Sequence, residues 1–347
     1  MKMNRLGRTE TLVSELCLGT MTFGTQTPEA DSHRQIDIAL DRGINIADTA
    51  ELYPVNPMTA RTQGDSERII GSWVAKSGRR KDLLVATKIS GEGQARIRDG
   101  APISRQTIPV AVESSLKRLN TDYIDIYQLH WPNRGSYMFR QNWTYDPTRQ
   151  STSETLDNMA ETLETVDDLV KAGKIRFFGL SNESAWGTAN WLRIARERGL
   201  PKVESIQNEY SLMCRLYDTD LAELSHHESV GLLAYSPLAT GLLTGKYRNG
   251  AVPDGSRKSI SPKLGGRSTD RSTRAVEGYW EVARKHGLDL AHMALAFCAT
   301  RPFMASTIFG ATTSAQLEHL LKVTETTLTD ECLDDIDKAH RSNPMPY

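Results

Sequence analysis

The sequence predicts an α/β protein folded as a (β/α)8 TIM barrel with long loops at the C-terminal face, a single domain over residues 1–347. Three observations lead there. Short apolar or β-branched runs alternate with longer segments of helical period, which implies parallel strands joined by crossover helices. There are eight such runs, the number that closes a barrel of this class. Residues of catalytic type gather at the C-terminal ends of the runs, the rim on which such barrels carry their chemistry.

The expected strands are 15–19, 44–48, 83–88, 124–130, 175–181, 204–208, 231–236 and 306–310. All are of strand length, too short for a stable helix. Between the first two, Thr27-Pro28-Glu29 starts a helix with Ile36 and Leu40 inward and Gly43 as its stop. Ile108, Val112, Leu116 and Leu119 form an apolar stripe before the fourth strand. Leu156, Met159, Leu163, Val166 and Val170 form another over about 155–172, stopped by Gly173. An open doubly wound sheet is the rival. Its phosphate fingerprint is missing, because Gly91-Glu92-Gly93 has Arg96 where the third glycine belongs.

Composition narrows the function. Lys plus Arg number 42 and Asp plus Glu 43, so no cationic surplus points to nucleic acid as the main partner. No run of apolar residues is long enough to cross a membrane, and no secretory signal follows Met1, so a cytoplasmic protein is expected. Cys17, Cys214, Cys298 and Cys332 form no C-x-x-C pair, and they read as reduced thiols with no metal site.

Asp48, Tyr53, Lys88 and His130 fall on successive strand ends of one rim. A free phenol titrates near pH ~10, too high for easy proton exchange at neutrality. A neighbouring cation lowers that value, and Lys88 is expected to do so for Tyr53. A lysine entering a barrel mouth needs a carboxylate, which Asp48 supplies. His130 would then direct a carbonyl oxygen toward the phenol, so that the group protonates that oxygen while a nucleophile attacks the carbon.

The motifs around these residues resemble the aldo-keto reductases. They are Asp48-Thr49-Ala50-x-x-Tyr53, Lys88, Gln128-Leu129-His130-Trp131-Pro132, Gly179-Leu180-Ser181-Asn182, Tyr235-Ser236-Pro237-Leu238, Gly241 to Tyr247, and Gly310-Ala311-Thr312-Thr313-x-x-Gln316-Leu317. The likeness runs from about residue 3 to 340. It implies an NAD(P)H-dependent oxidoreductase that reduces aldehydes or ketones by hydride transfer, with Tyr53 as general acid, Lys88 and Asp48 tuning it, and His130 orienting the carbonyl. It implies further that the first strand's end, Gly19-Thr20-Met21, and Asp48 border the cofactor. Tyr235 would stack on the nicotinamide, whose carboxamide Ser181, Asn182 and Gln207 would hold. Ser236, Pro237, Leu238, Thr240, Gly241 and Lys246, with Arg257 nearby, would embrace the pyrophosphate. Gly310, Thr312 and Gln316 would take the adenosine end. The implied cofactor is NADPH, with NAD as the alternative, because Gly310 and Gln316 stand where relatives that prefer the 2′-phosphate often carry basic residues.

Two long segments remain. Residues 131–154 contain Trp131, Tyr137, Phe139, Trp143 and Tyr145 and are expected to wall the substrate cleft, which would favour aromatic carbonyls. Residues 248–273 read equally as a clasp over the cofactor or a linker. The same motifs fit a second function, a nicotinamide-binding regulatory or sensor subunit with weak turnover. A third is a Schiff-base lyase using Lys88. The oligomeric state is left open.

Overall fold

A computed structural model describes residues 1–347. The eight expected runs form the eight strands of a closed, all-parallel barrel. They are β1 (Leu16–Gly19), β2 (Ile46–Asp48), β3 (Leu84–Ile89), β4 (Ile124–Leu129), β5 (Ile175–Ser181), β6 (Val203–Glu209), β7 (Gly231–Tyr235) and β8 (Met304–Phe309). β8 closes the ring by pairing with both β7 and β1. β3 runs one residue past Lys88, whereas β4 stops before His130 and β7 before Ser236, whose φ of +55° turns the chain out of the sheet.

The helices start and stop for local reasons. The stripe ending at Val170 lies on Thr152–Lys171, which begins three residues earlier than its first apolar turn suggests. Ser151 caps it by accepting the Glu154 N–H at 3.3 Å. Gly173 ends it in a left-handed conformation, φ +72°. Ile108, Val112, Leu116 and Leu119 all lie buried on Thr107–Leu119, and Ile36 is buried on Glu29–Asp41.

Two apolar cores result. The larger lies between the strands and the surrounding helices. The smaller fills the barrel itself with Cys17, Ile46, Ala86, Ile126, Leu233, Ala305 and Ile308, closed at the bottom by Leu6 and Val13. Those last two come from an antiparallel hairpin, Met3–Arg5 with Leu12–Ser14. No periodicity announces this hairpin, since each strand has only three residues. Two further helices, Asp270–Lys285 and Asp330–Ser342, pack on each other outside the eightfold repeat.

The inner core positions the site by simple register. Alternate residues of a strand face the same side. Two residues beyond the interior Cys17, Ile46, Ala86, Ile126, Leu233 and Ile308 stand Gly19, Asp48, Lys88, Gln128, Tyr235 and Gly310. The polar ring at the C-terminal mouth is the next layer above the apolar filling. The four cysteines are free thiols. No helix is long and apolar enough to cross a membrane.

Candidate active site

The expected quartet converges at the mouth. Lys88 Nζ lies 2.8 Å from each Asp48 carboxylate oxygen and 2.6 Å from the Thr49 carbonyl oxygen. An ammonium has three N–H donors, so all are engaged and Lys88 is no free amine. That removes the physical basis for Schiff-base chemistry there. Lys88 Nζ sits 4.9 Å from the Tyr53 ring centroid. The Tyr53 ring meets His130 edge-on at 5.7 Å and an interplanar angle of 77°. The backbone of Tyr53 is held at both ends, its N–H donating to the Ala50 carbonyl and its carbonyl accepting from the Gly64 N–H.

One expectation is corrected. Lys88 was expected to lower the titration of Tyr53. Burial pushes the phenol well above its usual range, and the Asp48 charge adds to the rise, with Arg257 opposing it. The reason is geometric: Asp48 takes the lysine's charge at 2.8 Å through both oxygens, so the ring beside the pair feels little net cation. The Tyr53 phenol is held neutral. Burial, and then Lys88, pushes His130 well below the ordinary imidazole value, so its ring is neutral. Its Nδ1 is buried without a hydrogen-bond partner.

The remaining expected residues ring the same mouth. Gln207 Nε2 donates to Asp48 Oδ1 at 2.7 Å and to Gln128 Oε1 at 3.3 Å. Asn182, in a left-handed conformation, donates to the His130 carbonyl at 2.8 Å and accepts from the Tyr235 hydroxyl at 2.8 Å. Ser181 Oγ donates to the Gln207 carbonyl at 2.8 Å. Thr20 ties β1 to β2 through the Asp48 carbonyl at 2.9 Å, with Met21 following it at the rim. After β7 the turn Ser236-Pro237-Leu238 leads into Ala239, Thr240 and Gly241, at φ +45°, +58° and +98°. A Cβ on Gly241 would come within 3.1 Å of Lys246 Cε, so glycine keeps the space beside that ammonium. Arg257 opens a short helix, Arg257–Ile260, and burial brings it down to about 10 with neighbouring Arg267 adding to the effect.

Gly310 follows β8, and a Cβ there would lie 2.9 Å from the Gly19 carbonyl oxygen. The tight β8–β1 seam, rather than the ligand, therefore explains why no basic side chain stands at that position. Thr312 donates to Gln316 Oε1 through both N–H and hydroxyl, at 3.1 and 3.0 Å, on the exposed edge of the mouth.

Several site residues escaped the sequence reading. Gln128 was singled out only as part of a motif, yet its Nε2 is buried without a partner at the centre of the ring. The period-two step from Ile126 is the signal that finds it. Glu209, Arg267 and Arg140 had no local signal, since contacts across 58 and 69 residues bring them together. The aromatic segment divides. Trp131 packs 5.0 Å from His130, and Phe139 packs 6.3 Å from Trp131. Tyr137 and Tyr145 meet edge-on at 5.9 Å, and Trp143 is exposed.

The mouth of this parallel barrel thus holds a phenol, an ammonium–carboxylate pair and an imidazole within one ring of strand ends. The model of the aldo/keto reductase family matches residues 15–341, and the chain belongs to that family. It is 43% identical to Protein tas of Escherichia coli over 352 aligned positions, covering 100% of this chain and 99% of that protein. It is 32% identical to the uncharacterized oxidoreductase YrpG of Bacillus subtilis, covering 96% and 94%. It is also 31% identical to a probable voltage-gated potassium channel subunit beta of Arabidopsis thaliana, covering 99% and 98%. The chain is therefore an oxidoreductase of the aldo/keto reductase family.

Proposed function

We propose that the protein reduces aldehydes and ketones to alcohols with NADPH, using Tyr53 as the general acid. The observation that carries this is the neutral Tyr53 phenol beside the closed Lys88–Asp48 pair, facing a neutral His130. A nicotinamide dinucleotide held at this mouth would supply the hydride. Tyr53 gives its hydroxyl proton to the carbonyl oxygen as negative charge develops there. His130 holds that oxygen by an N–H hydrogen bond, which its neutral ring can donate from one nitrogen. Lys88 fixes the local field, and Asp48 keeps Lys88 immobile.

The chain offers a fitting berth for a dinucleotide. Gln128 Nε2 at the mouth is an orphaned donor. Gly241 preserves a cradle that a side chain would fill. Lys246 Nζ rests over the Tyr247 ring at 5.3 Å rather than on a carboxylate. Tyr235, Ser181, Asn182 and Gln207 would hold the nicotinamide end. The Ser236–Gly241 turn, Lys246 and Arg257 would hold the phosphates, and Gly310, Thr312 and Gln316 the adenosine. Trp131 and Phe139 beside His130 support aromatic carbonyls as substrates, to be read as a higher kcat/KM for benzaldehyde than for a small sugar aldehyde.

The test is Tyr53→Phe. Loss of a general acid costs roughly 10²- to 10⁴-fold, while NADPH titration by fluorescence keeps its affinity. Retained kcat would refute the assignment. The relative named as a channel β-subunit favours a second reading, a cofactor-bound regulatory subunit. A steady-state reductase rate without any partner decides for the enzyme.

A further inference from the structure

Beside the site lies a cluster of charges that the reduction itself does not use. Glu209, at the C-terminal end of β6, pairs in register with Tyr235 of β7. Arg267 reaches it through Nε and Nη2, each 2.7 Å from a carboxylate oxygen. The Tyr347 hydroxyl donates to the same carboxylate at 3.2 Å. Arg140 then approaches it with only one contact, Nη1 at 3.3 Å from Oε2. The Glu209 and Arg267 side chains are each 6% exposed and Arg140 20%.

The charges do not balance. Arg140 and Arg267 share the single carboxylate of Glu209, and Arg257, whose charge bears on both arginines and on Tyr53, has no ion-pair partner. The Glu209 cluster carries a surplus of one positive charge in a poorly hydrated place, where an unpaired cation is costly. Burial and Arg267 also lower Arg140 below an ordinary guanidinium. One anionic group would complete the cluster. The cofactor phosphates account for Arg257, in the reading given above, and Arg140 is left.

The chain bends to put Arg140 there. Phe139 and Arg140 are consecutive non-glycine residues in left-handed conformation, at φ +55° and +67°. Bulky residues adopt that region only under constraint. The result sends Phe139 toward Trp131 and Arg140 toward Glu209, so one turn supplies a ring and a cation. Both line a cleft with Tyr137, Asn208, Glu209 and Tyr347. That cleft lies beyond Asn208-Glu209, beside the quartet rather than on it. Guanidinium groups recognise carboxylates through paired N–H donors.

We propose that Arg140, set beside the Glu209–Arg267 pair, binds an anionic group of the substrate, which makes a carboxylate-bearing aldehyde the preferred substrate class. The proposal rests on the reductase reading and deepens it.

The experiment compares 4-carboxybenzaldehyde with benzaldehyde in wild type, Arg140→Ala and Arg140→Lys. Wild type is expected to favour the carboxylate. The ratio of the two kcat/KM values falls at least tenfold in R140A and is partly restored in R140K. The Kd of NADPH, measured in parallel, separates the sources of the anion. A loss confined to NADPH affinity would assign Arg140 to a cofactor phosphate and overturn the proposal, as would an unchanged ratio. Calorimetric binding of the two aldehydes to the NADP-loaded protein gives the same comparison without turnover. If neither aldehyde is reduced yet R140A abolishes the binding preference, the reductase reading fails and the anion site stands. If no preference exists in binding or rate, the anion site fails.

Discussion

Replacing Asp48 by Asn tests the arrangement on which the site depends. The wild-type carboxylate takes Lys88 Nζ through two contacts of 2.8 Å and Gln207 Nε2 through one of 2.7 Å. Both side chains are out of water, at 0% exposure for Lys88 and 4% for Asp48. Removing one partner of a buried ion pair costs about 3–5 kcal/mol, chiefly because the other charge is left uncompensated. Unfolding entropy of about 2.1 cal/mol/K per residue over 347 residues gives roughly 0.7 kcal/mol/K. The expected fall in Tm is therefore about 4–7 °C. Lys88→Met should cost a similar amount. The double variant D48N/K88M leaves only neutral groups, and its cost should be about 1–3 kcal/mol, that of imperfectly bonded polar atoms. The assay is thermal unfolding by circular dichroism, with urea unfolding for the free energies, on all four proteins, analysed as a double-mutant cycle. Single variants that melt within 2 °C of wild type, or a double variant whose loss equals the sum of the singles, would refute the claim that the two charges stabilise each other out of water.

Two further outcomes follow from the same geometry. His130 is held below the ordinary imidazole value of about 6.5, so below that pH the unfolded chain binds a proton that the folded chain refuses. His130 therefore adds stability that is present above pH ~6.5 and lost as the pH falls toward its depressed folded value; Tm of wild type measured from pH 7.5 to 5 should fall more steeply than that of His130→Gln, and parallel curves would contradict this. Gly310→Ala drives a Cβ to 2.9 Å from the Gly19 carbonyl oxygen, and overpacking of this kind costs about 1–3 kcal/mol. Its urea midpoint should drop, and an unchanged midpoint would show that the β8–β1 seam yields freely.

The family assignment shows a class of chemistry, and the charges around the mouth suggest how this chain specialises it. The quartet is compact and self-neutralised at Lys88–Asp48, whereas the flank formed by Arg140, Arg257 and Arg267 is not. A neutral phenol beside an unbalanced cationic flank is the arrangement on which the proposed anionic carbonyl substrate rests. The aromatic reading and the anion reading are compatible, since Phe139 and Arg140 leave the same turn.

The barrel and most of its mouth were legible from the order of residues alone. Strand length, alternation with helical stripes and the count of eight are local patterns, and all eight runs became strands. The catalytic-type residues were legible because a parallel barrel turns strand ends into one rim, so that sequence position maps onto spatial position. Other features depended on contacts without a local trace. The floor hairpin is stabilised by Leu6 and Val13 entering the barrel from below, which no window of sequence describes. The Tyr53 proton affinity reversed its expected direction because it depends on where the Lys88 charge is spent, and Asp48 takes it from 40 residues away. Arg140, Glu209 and Arg267 meet only because two long loops fold back over one strand end. Hydrophobic periodicity is a short-range property that the chain writes into itself. The balance of charge in a cleft is a sum over distant segments, and only the closed fold carries it out.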